Sequence, residues 1–262
     1  MKDFTIISVY NNEQSLQDCL KQSVDSQIDV FVETKYIDNS KNIFPNAKKA
    51  LESALDNCLG KYLICSHQDI VFLNTQELRT IYNQLETIGD FGIVGVAGVK
   101  GRDFISNIFH GKEKTPVCEN RIIQATECET VDECLFIIKN EPRYINRFKS
   151  MICDSWHMYA VEFCLLSRQQ SEKVLVIPAD VYHVSPGNSY DESYYVQVRK
   201  IARKYGKSFD RINCTMGYWH TNPIKLWNQI RNRRRKDIKN GTLKQQNKTY
   251  YCFCRALQSI SR

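Results

Sequence analysis

At 262 residues the chain is long enough to bury one large core or two small ones, and its 42% hydrophobic and 25% charged content is that of an ordinary soluble globular protein. No apolar run approaches the roughly 18 residues that span a bilayer, and Met1 to Phe4 lead straight into a strand-like segment with no signal-peptide core, so the expectation is a cytoplasmic protein. The eleven cysteines are odd in number and contain no CxxC pair (Cys252 and Cys254 form only a CxC), which predicts reduced thiols packed as small apolar groups rather than a disulfide framework. The net charge of +7 is unevenly placed: Lys225 to Lys248 hold nine Lys or Arg against a single acid, Asp237, leaving the remainder close to neutral. An anionic partner would meet that tail.

The first half alternates strand and helix signals. Phe4 to Val9 predicts a strand ending in the polar Tyr10-Asn11-Asn12-Glu13, followed by a helix over Glu13 to Ser23 with Leu16, Cys19 and Leu20 at helical spacing. Val30 to Ile37 predicts a second strand closed by Asp38-Asn39-Ser40. Asn46 to Leu59 predicts a helix with Ala47, Ala50, Leu51, Ala54, Leu55 and Cys58 on one face and Gly60 as its stop. The apolar Tyr62 to Cys65 predicts a short buried strand that ends abruptly in His67, Gln68 and Asp69. A carboxylate beside a histidine at such a strand end is costly to desolvate unless a cation or a phosphate-bearing ligand compensates it, although a plain polar turn would show the same residues. Gln76 to Ile88 predicts a helix and Gly92 to Val99 a buried strand. This alternation predicts an α/β fold, a mostly parallel sheet with helices on both faces, in which the polar strand ends at Asn11, Asp38 and Asp69 can share one edge.

The second half is less regular. Val131 to Lys139 predicts a strand that opens on the acidic pair Asp132 and Glu133. Cys153-Asp154-Ser155-Trp156-His157 precedes a helical stretch, Tyr159 to Arg168, and Lys173 to Ile177 predicts a strand that leads to Tyr182, His183 and Ser185-Pro186-Gly187. A lone histidine is usually structural, but His157 and His183 accompany the acidic strand end at Asp69.

Three motifs in this order, Ser66-His67-Gln68-Asp69-Ile70, Asp154-Ser155-Trp156-His157 running into Glu162-Phe163-Cys164-Leu165, and Val174 to Pro178 running to Tyr182-His183 and Ser185-Pro186-Gly187, resemble the family-2-type glycosyltransferases. Within these nucleotide-diphospho-sugar transferases they are most similar to the subgroup of streptomycin-biosynthesis glycosyltransferases, over roughly Phe4 to Cys214. The resemblance implies a GT-A domain, here residues 1–215, with a basic helical C-terminal extension over residues 216–262. It implies an inverting, metal-dependent hexosyltransferase of surface polysaccharide or glycolipid assembly. A nucleotide-diphosphate-sugar would be the donor, a sugar or lipid-linked sugar the acceptor, and Mn²⁺ or Mg²⁺ the cofactor.

Carried over residue by residue, His67-Gln68-Asp69 occupies the Asp-x-Asp position, with Asp69 on the metal and His67 a departure from the pattern. His183 matches the late histidine that completes the metal and diphosphate site. Asp38 matches the carboxylate that contacts base or ribose, Val9, Tyr10 and Asn11 match the loop around the nucleotide, and Asp132 matches an acid that touches donor sugar or acceptor. The family's Glu-Asp base pair would fall at Tyr159-Ala160, which cannot accept a proton, so Asp154 is the expected base with His157 orienting or replacing it. A helix N-cap is the structural alternative for Asp154.

Two other classes compete. Arg231 to Lys236 would suit a nucleic-acid-binding protein, but Trp227, Tyr250 and Tyr251 only flank the run, and no module signature is present. Cys/His pairs at zinc spacing are absent. Ile224, Trp227 and Ile230 share roughly one helical face beside the arginines, so the tail is expected either to make peripheral contact with the anionic inner face of a membrane or to pack that face on the catalytic domain and leave the arginines in water.

Overall fold

The computed structural model describes residues 2–185 and 190–243; Pro186, Gly187 and residues 244–262 of the expected extension lie outside the described residues. The strands are, in chain order, β1 (Lys2–Tyr10), β2 (Val32–Asp38), β3 (Gly60–His67), β4 (Ile70–Phe72), β5 (Ile93–Gly95), β6 (Ala97–Lys100), β7 (Asp103–Ser106) and β8 (Phe109–His110). They continue with β9 (Thr115–Pro116), β10 (Thr126–Glu127), β11 (Thr130–Val131), β12 (Leu135–Lys139), β13 (Val174–Val176), β14 (Val181–His183), β15 (Arg211–Cys214) and β16 (Gly217–His220). The helices are α1 (residues 13–25, widened to a π-helical turn over Gln17–Lys21), α2 (Ala47–Leu55), α3 (Glu77–Ile88), α4 (Pro142–Ser150), α5 (Tyr159–Gln169), α6 (Glu192–Tyr205) and α7 (Pro223–Lys239).

The main sheet has the order β10-β13-β5-β12-β3-β1-β2. β1 pairs in parallel with β2 and β3, as expected, but β12 runs antiparallel to both of its neighbours and β10 antiparallel to β13. The sheet is therefore mixed, with five strands in one direction and two against it. Alternation along each strand divides the core. Phe4, Ile6, Ile64, Leu135 and Ile137 pack with Leu16 and Leu20 of α1 and Ile81 and Leu85 of α3. Ile7, Leu63, Phe136 and Ile138 face the other way, onto Leu51 of α2, Phe148 of α4 and Phe163 of α5. Helices thus cover both faces.

Asn12 and Asn46 cap α1 and α2, their side chains accepting from Ser15 N at 3.0 Å and Lys49 N at 2.9 Å. Three expected boundaries move. α2 stops at Leu55, and Gly60 instead opens β3, where a Cβ would lie 2.1 Å from Thr5 N of the neighbouring strand; glycine is there because the backbones nearly touch. The run from Gly92 to Val99 breaks at Val96 into β5 and β6, which belong to different sheets. The run from Val131 to Lys139 breaks at Asp132–Cys134, so the acidic pair sits in a turn between β11 and β12.

A third apolar cluster joins Val161 and Leu165 of α5 to Tyr195 and Val198 of α6, Trp219 of β16, and Leu226 and Ile230 of α7. The expected boundary at residue 215 falls in the turn of the β15–β16 hairpin. α7 is also fastened by Asp237, a buried carboxylate that accepts from Tyr190 Oη at 2.6 Å, from Tyr195 Oη, and from Arg233 Nε at 3.1 Å. No described helix is long and apolar enough to cross a membrane.

Candidate active site

β1, β2 and β3 end together at one edge of the sheet. Tyr10 lies opposite Asp38, and Val9 opposite His67, so four of the expected site residues occupy two adjacent rows. Gln68 ties the loops beyond them: its Oε1 accepts from the backbone N–H of Asn11 at 2.9 Å and of Asn12 at 3.1 Å, and its amide donates to Asn11 Oδ1 at 3.0 Å. Asp38 accepts from Ser40 N at 2.7 Å, and that backbone N–H holds its exposed carboxyl below the usual range.

Beyond Asp69 the chain turns into β4, which pairs antiparallel with β14 and sets Ile70 opposite His183. This short ladder brings together residues far apart in sequence. One ligating atom each from His67, Asp69 and His183 lie within 4.8 Å of one another. His183 Nε2 is 3.4 Å from Asp69 Oδ1, the two imidazole rings are 5.4 Å apart, and Ser185 N donates to Asp69 Oδ2 at 3.2 Å. Burial and the charge of His183 push the His67 pKa down to about 4, so His67 is a neutral imidazole near pH 7. Burial opposes ionisation of Asp69, but the hydrogen bond and charge of His183 win and hold its carboxyl well below the usual range. Burial likewise lowers and Asp69 raises the His183 pKa, with Asp69 dominant. A neutral imidazole, a carboxylate, and a second imidazole that sheds its proton to a cation form a ligand set that fits Mn²⁺ better than Mg²⁺, which prefers oxygen alone.

The acidic pair lies in the turn that ends at Cys134, whose carbonyl accepts from His67 N at 2.9 Å. Asp132 accepts from Cys134 N at 2.9 Å and from Thr215 Oγ1 at 2.5 Å; against the effect of burial, these bonds keep its carboxyl below the ordinary range, aided by His67. Glu133 Oε2 stands 3.9 Å from His157 Nδ1, while Glu133 Oε1 is buried with no hydrogen-bond partner. Burial raises the Glu133 pKa. For His157 burial works downward, but Glu133 outweighs it and the imidazole pKa ends up raised. The charges of Asp132 and His157 both act on His67, so the two groups of residues are neighbours.

Asp154 is set apart. Its side chain is 55% exposed and its Oδ2 takes a 2.5 Å ion pair from Lys200. It does not cap α5, whose N-cap is Met158 in a left-handed conformation (φ 74°) with no side-chain bond. What fixes the loop between α4 and α5 is Glu162, wholly buried, which accepts from Ile152 N at 3.0 Å, Cys153 N at 2.7 Å, Tyr205 Oη at 2.7 Å and Lys204 Nζ at 3.0 Å. Sequence reasoning used Glu162 only to place a motif, and gave Gln68 and Glu133 no role. The acidic pair at a strand start was the available signal for Glu133; nothing in the sequence marked Gln68 or Glu162 as clamps.

The chain matches the Glycosyltransferase like family over residues 5–205 and belongs to that family. Its α/β architecture is that of the GT-A fold. Among solved structures it is similar to S. aureus TarS 1-349, with 14% identity over 76% of this chain and 64% of that one and a TM-score of 0.52. It is likewise similar to the same TarS fragment in complex with UDP-GlcNAc, with 15% identity over 77% and 66% and a TM-score of 0.51. At this identity the likeness is one of fold, and the chain spans less than two thirds of either structure and 39% of a longer TarS chain. No curated protein sequence matches.

Proposed function

We propose that the protein transfers a hexose from a nucleoside-diphosphate sugar to an acceptor hydroxyl with inversion. The observation that carries this is the convergence of His67, Asp69 and His183 at the edge where β1, β2 and β3 end. Ligands of open α/β sheets bind at such an edge. Val9, Tyr10, Asn11 and Asp38 would line the nucleoside, with the Gln68 bonds keeping the Asn11 loop in place. His67, Asp69 and His183 would hold a divalent cation, Mn²⁺ by donor set, which neutralises the leaving diphosphate as a Lewis acid. The TarS fragment holding UDP-GlcNAc makes a uridine donor the first to try.

Of the two base candidates, His157 is better placed. Glu133 faces its Nδ1, which leaves Nε2 to accept a proton, whereas Asp154 is neutralised by Lys200 at the surface. As the acceptor oxygen bonds to the anomeric carbon, the bond from that carbon to the diphosphate oxygen breaks, and the hydroxyl proton passes to His157 Nε2. Asp132, held by Thr215 and Cys134, would orient a sugar hydroxyl. Trp156, 38% exposed on the same loop, can stack on an apolar sugar face. The narrower kinship with the streptomycin-biosynthesis enzymes, a role in surface polysaccharide or glycolipid assembly, a cytoplasmic site of action, and an extension beginning near residue 216 belong to this reading. Donor turnover with a panel of UDP- and GDP-sugars, with and without Mn²⁺, tests it: metal-dependent release of nucleoside diphosphate from at least one donor supports the proposal, and none from any donor contradicts it.

A further inference from the structure

Helix α6, the β15–β16 hairpin and the start of α7 enclose a groove of about 1090 Å³ away from the sheet edge, and its lining is strongly basic. Arg199, Arg203, Lys207, Arg211 and Lys225 face it, with Asp210 as the one carboxylate. All five cations are exposed, and among the described residues none forms an ion pair. The charge is felt by His220 in the same wall: burial and then the charges of Arg211 and Lys225 lower its pKa.

The arginine run that dominates the sequence is differently employed. Arg233 bonds Asp237, Arg234 pairs with Glu192 at 2.5 Å, and Arg231 lies 4.7 Å over the Trp227 ring. The expected apolar face of α7 also divides. Ile230 is buried in the third cluster, whereas Ile224 is 74% and Trp227 55% exposed; Trp227 lines the groove with Lys225, and Ile224 precedes Lys225 on the same helix.

We propose that this groove and the exposed Ile224–Trp227 pair form one docking face for an anionic membrane surface, with lipid phosphates seated among the groove cations and the two apolar side chains entering the headgroup boundary. Charge complementarity selects an anion, and the apolar pair selects a bilayer over nucleic acid. An exposed isoleucine beside a tryptophan suits the headgroup boundary, whereas sequence-independent binding of single strands relies on free aromatic faces, and the Trp227 ring is already stacked against Arg231. The face lies on elements that carry none of the proposed metal or nucleotide residues, so binding is read without donor or catalysis.

Flotation of the full chain with phosphatidylcholine vesicles, with or without about 30 mol% phosphatidylglycerol, at low salt tests this. The wild type should float with the anionic vesicles and stay below with the neutral ones. R203E/K207E should lower the bound fraction roughly tenfold or more, since each cation near an anionic leaflet contributes about a fivefold factor. W227A should lower it several-fold, while the charge-matched K21E/K100E outside the groove stays within about twofold. Lys21 is half-buried and the other positions are exposed, and unchanged thermal melting certifies the fold of each variant. The proposal is overturned by equal binding to neutral and anionic vesicles, by wild-type flotation of R203E/K207E, or by groove-dependent retention on duplex DNA that anionic vesicles cannot compete away.

Discussion

His157 is where burial and charge act in opposite directions and charge wins. Its raised pKa places half-protonation above the ordinary histidine value of about 6.5. A general base works only when neutral, so turnover should rise with pH through that raised value and be lost below it. Glu133→Gln removes the strongest of the groups that raise the His157 pKa and leaves burial opposed by the weaker pull of Asp191 and Asp132; the acid limb of the rate profile should then move to lower pH. A limb that stays in place or moves upward would show that Glu133 does not set the His157 charge. His157→Ala should cost roughly a hundredfold or more in kcat with donor affinity retained, the usual scale of general-base loss, while Asp154→Asn should stay within a few-fold. The reverse ranking would return the base to Asp154. His183 differs again: its loss should weaken nucleoside-diphosphate binding more than nucleoside binding, and equal losses in a titration of both ligands would make it structural. Asp69 and His183 stood out in the sequence because one follows and the other ends a short apolar strand with no packing reason to be polar. Glu133 did not, since two adjacent acids at a strand start look alike until the turn at Asp132–Cys134 points one to Thr215 and the other to His157.

Element by element, the helices and the common direction of β1, β2, β3 and β5 read well, and the course of β12 did not. The helical stripes of α2 and α3 face the two sides of the sheet as their spacing implies. The antiparallel course of β12 has no local signal, because an apolar run reads the same in either direction. The break at Val96 was hidden inside a continuous apolar run for the same reason. Asp237 shows a tertiary device that composition concealed: the single acid in the basic tail is the pin that holds α7 against α6. Asp237→Ala strands two buried tyrosine hydroxyls and Arg233, at a cost of about 2–3 kcal/mol for lost bonds to a charged group. For a chain of this size the melting temperature should fall by roughly 5–10 °C. A calorimetric shift under about 1 °C would mean that α7 is held by Leu226 and Ile230 alone.

On the scale of the whole molecule, the sheet supplies the edge where the proposed site lies, and the cluster of α5, α6, the hairpin and α7 braces the loop that carries His157 through Glu162. The sequence motifs located the edge because their residues sit at consecutive strand ends. They said nothing of the bracing layer, whose contacts join residues more than forty positions apart. The central claim is that Asp69, with His67 and His183, holds the cation that binds the donor's diphosphate. Isothermal calorimetry of UDP with and without Mn²⁺ on the wild type and Asp69→Ala tests it most directly. The account predicts wild-type binding that strengthens with Mn²⁺ and an Asp69→Ala protein that is folded but loses the Mn²⁺-dependent part. Undiminished Mn²⁺-dependent affinity in Asp69→Ala would contradict it.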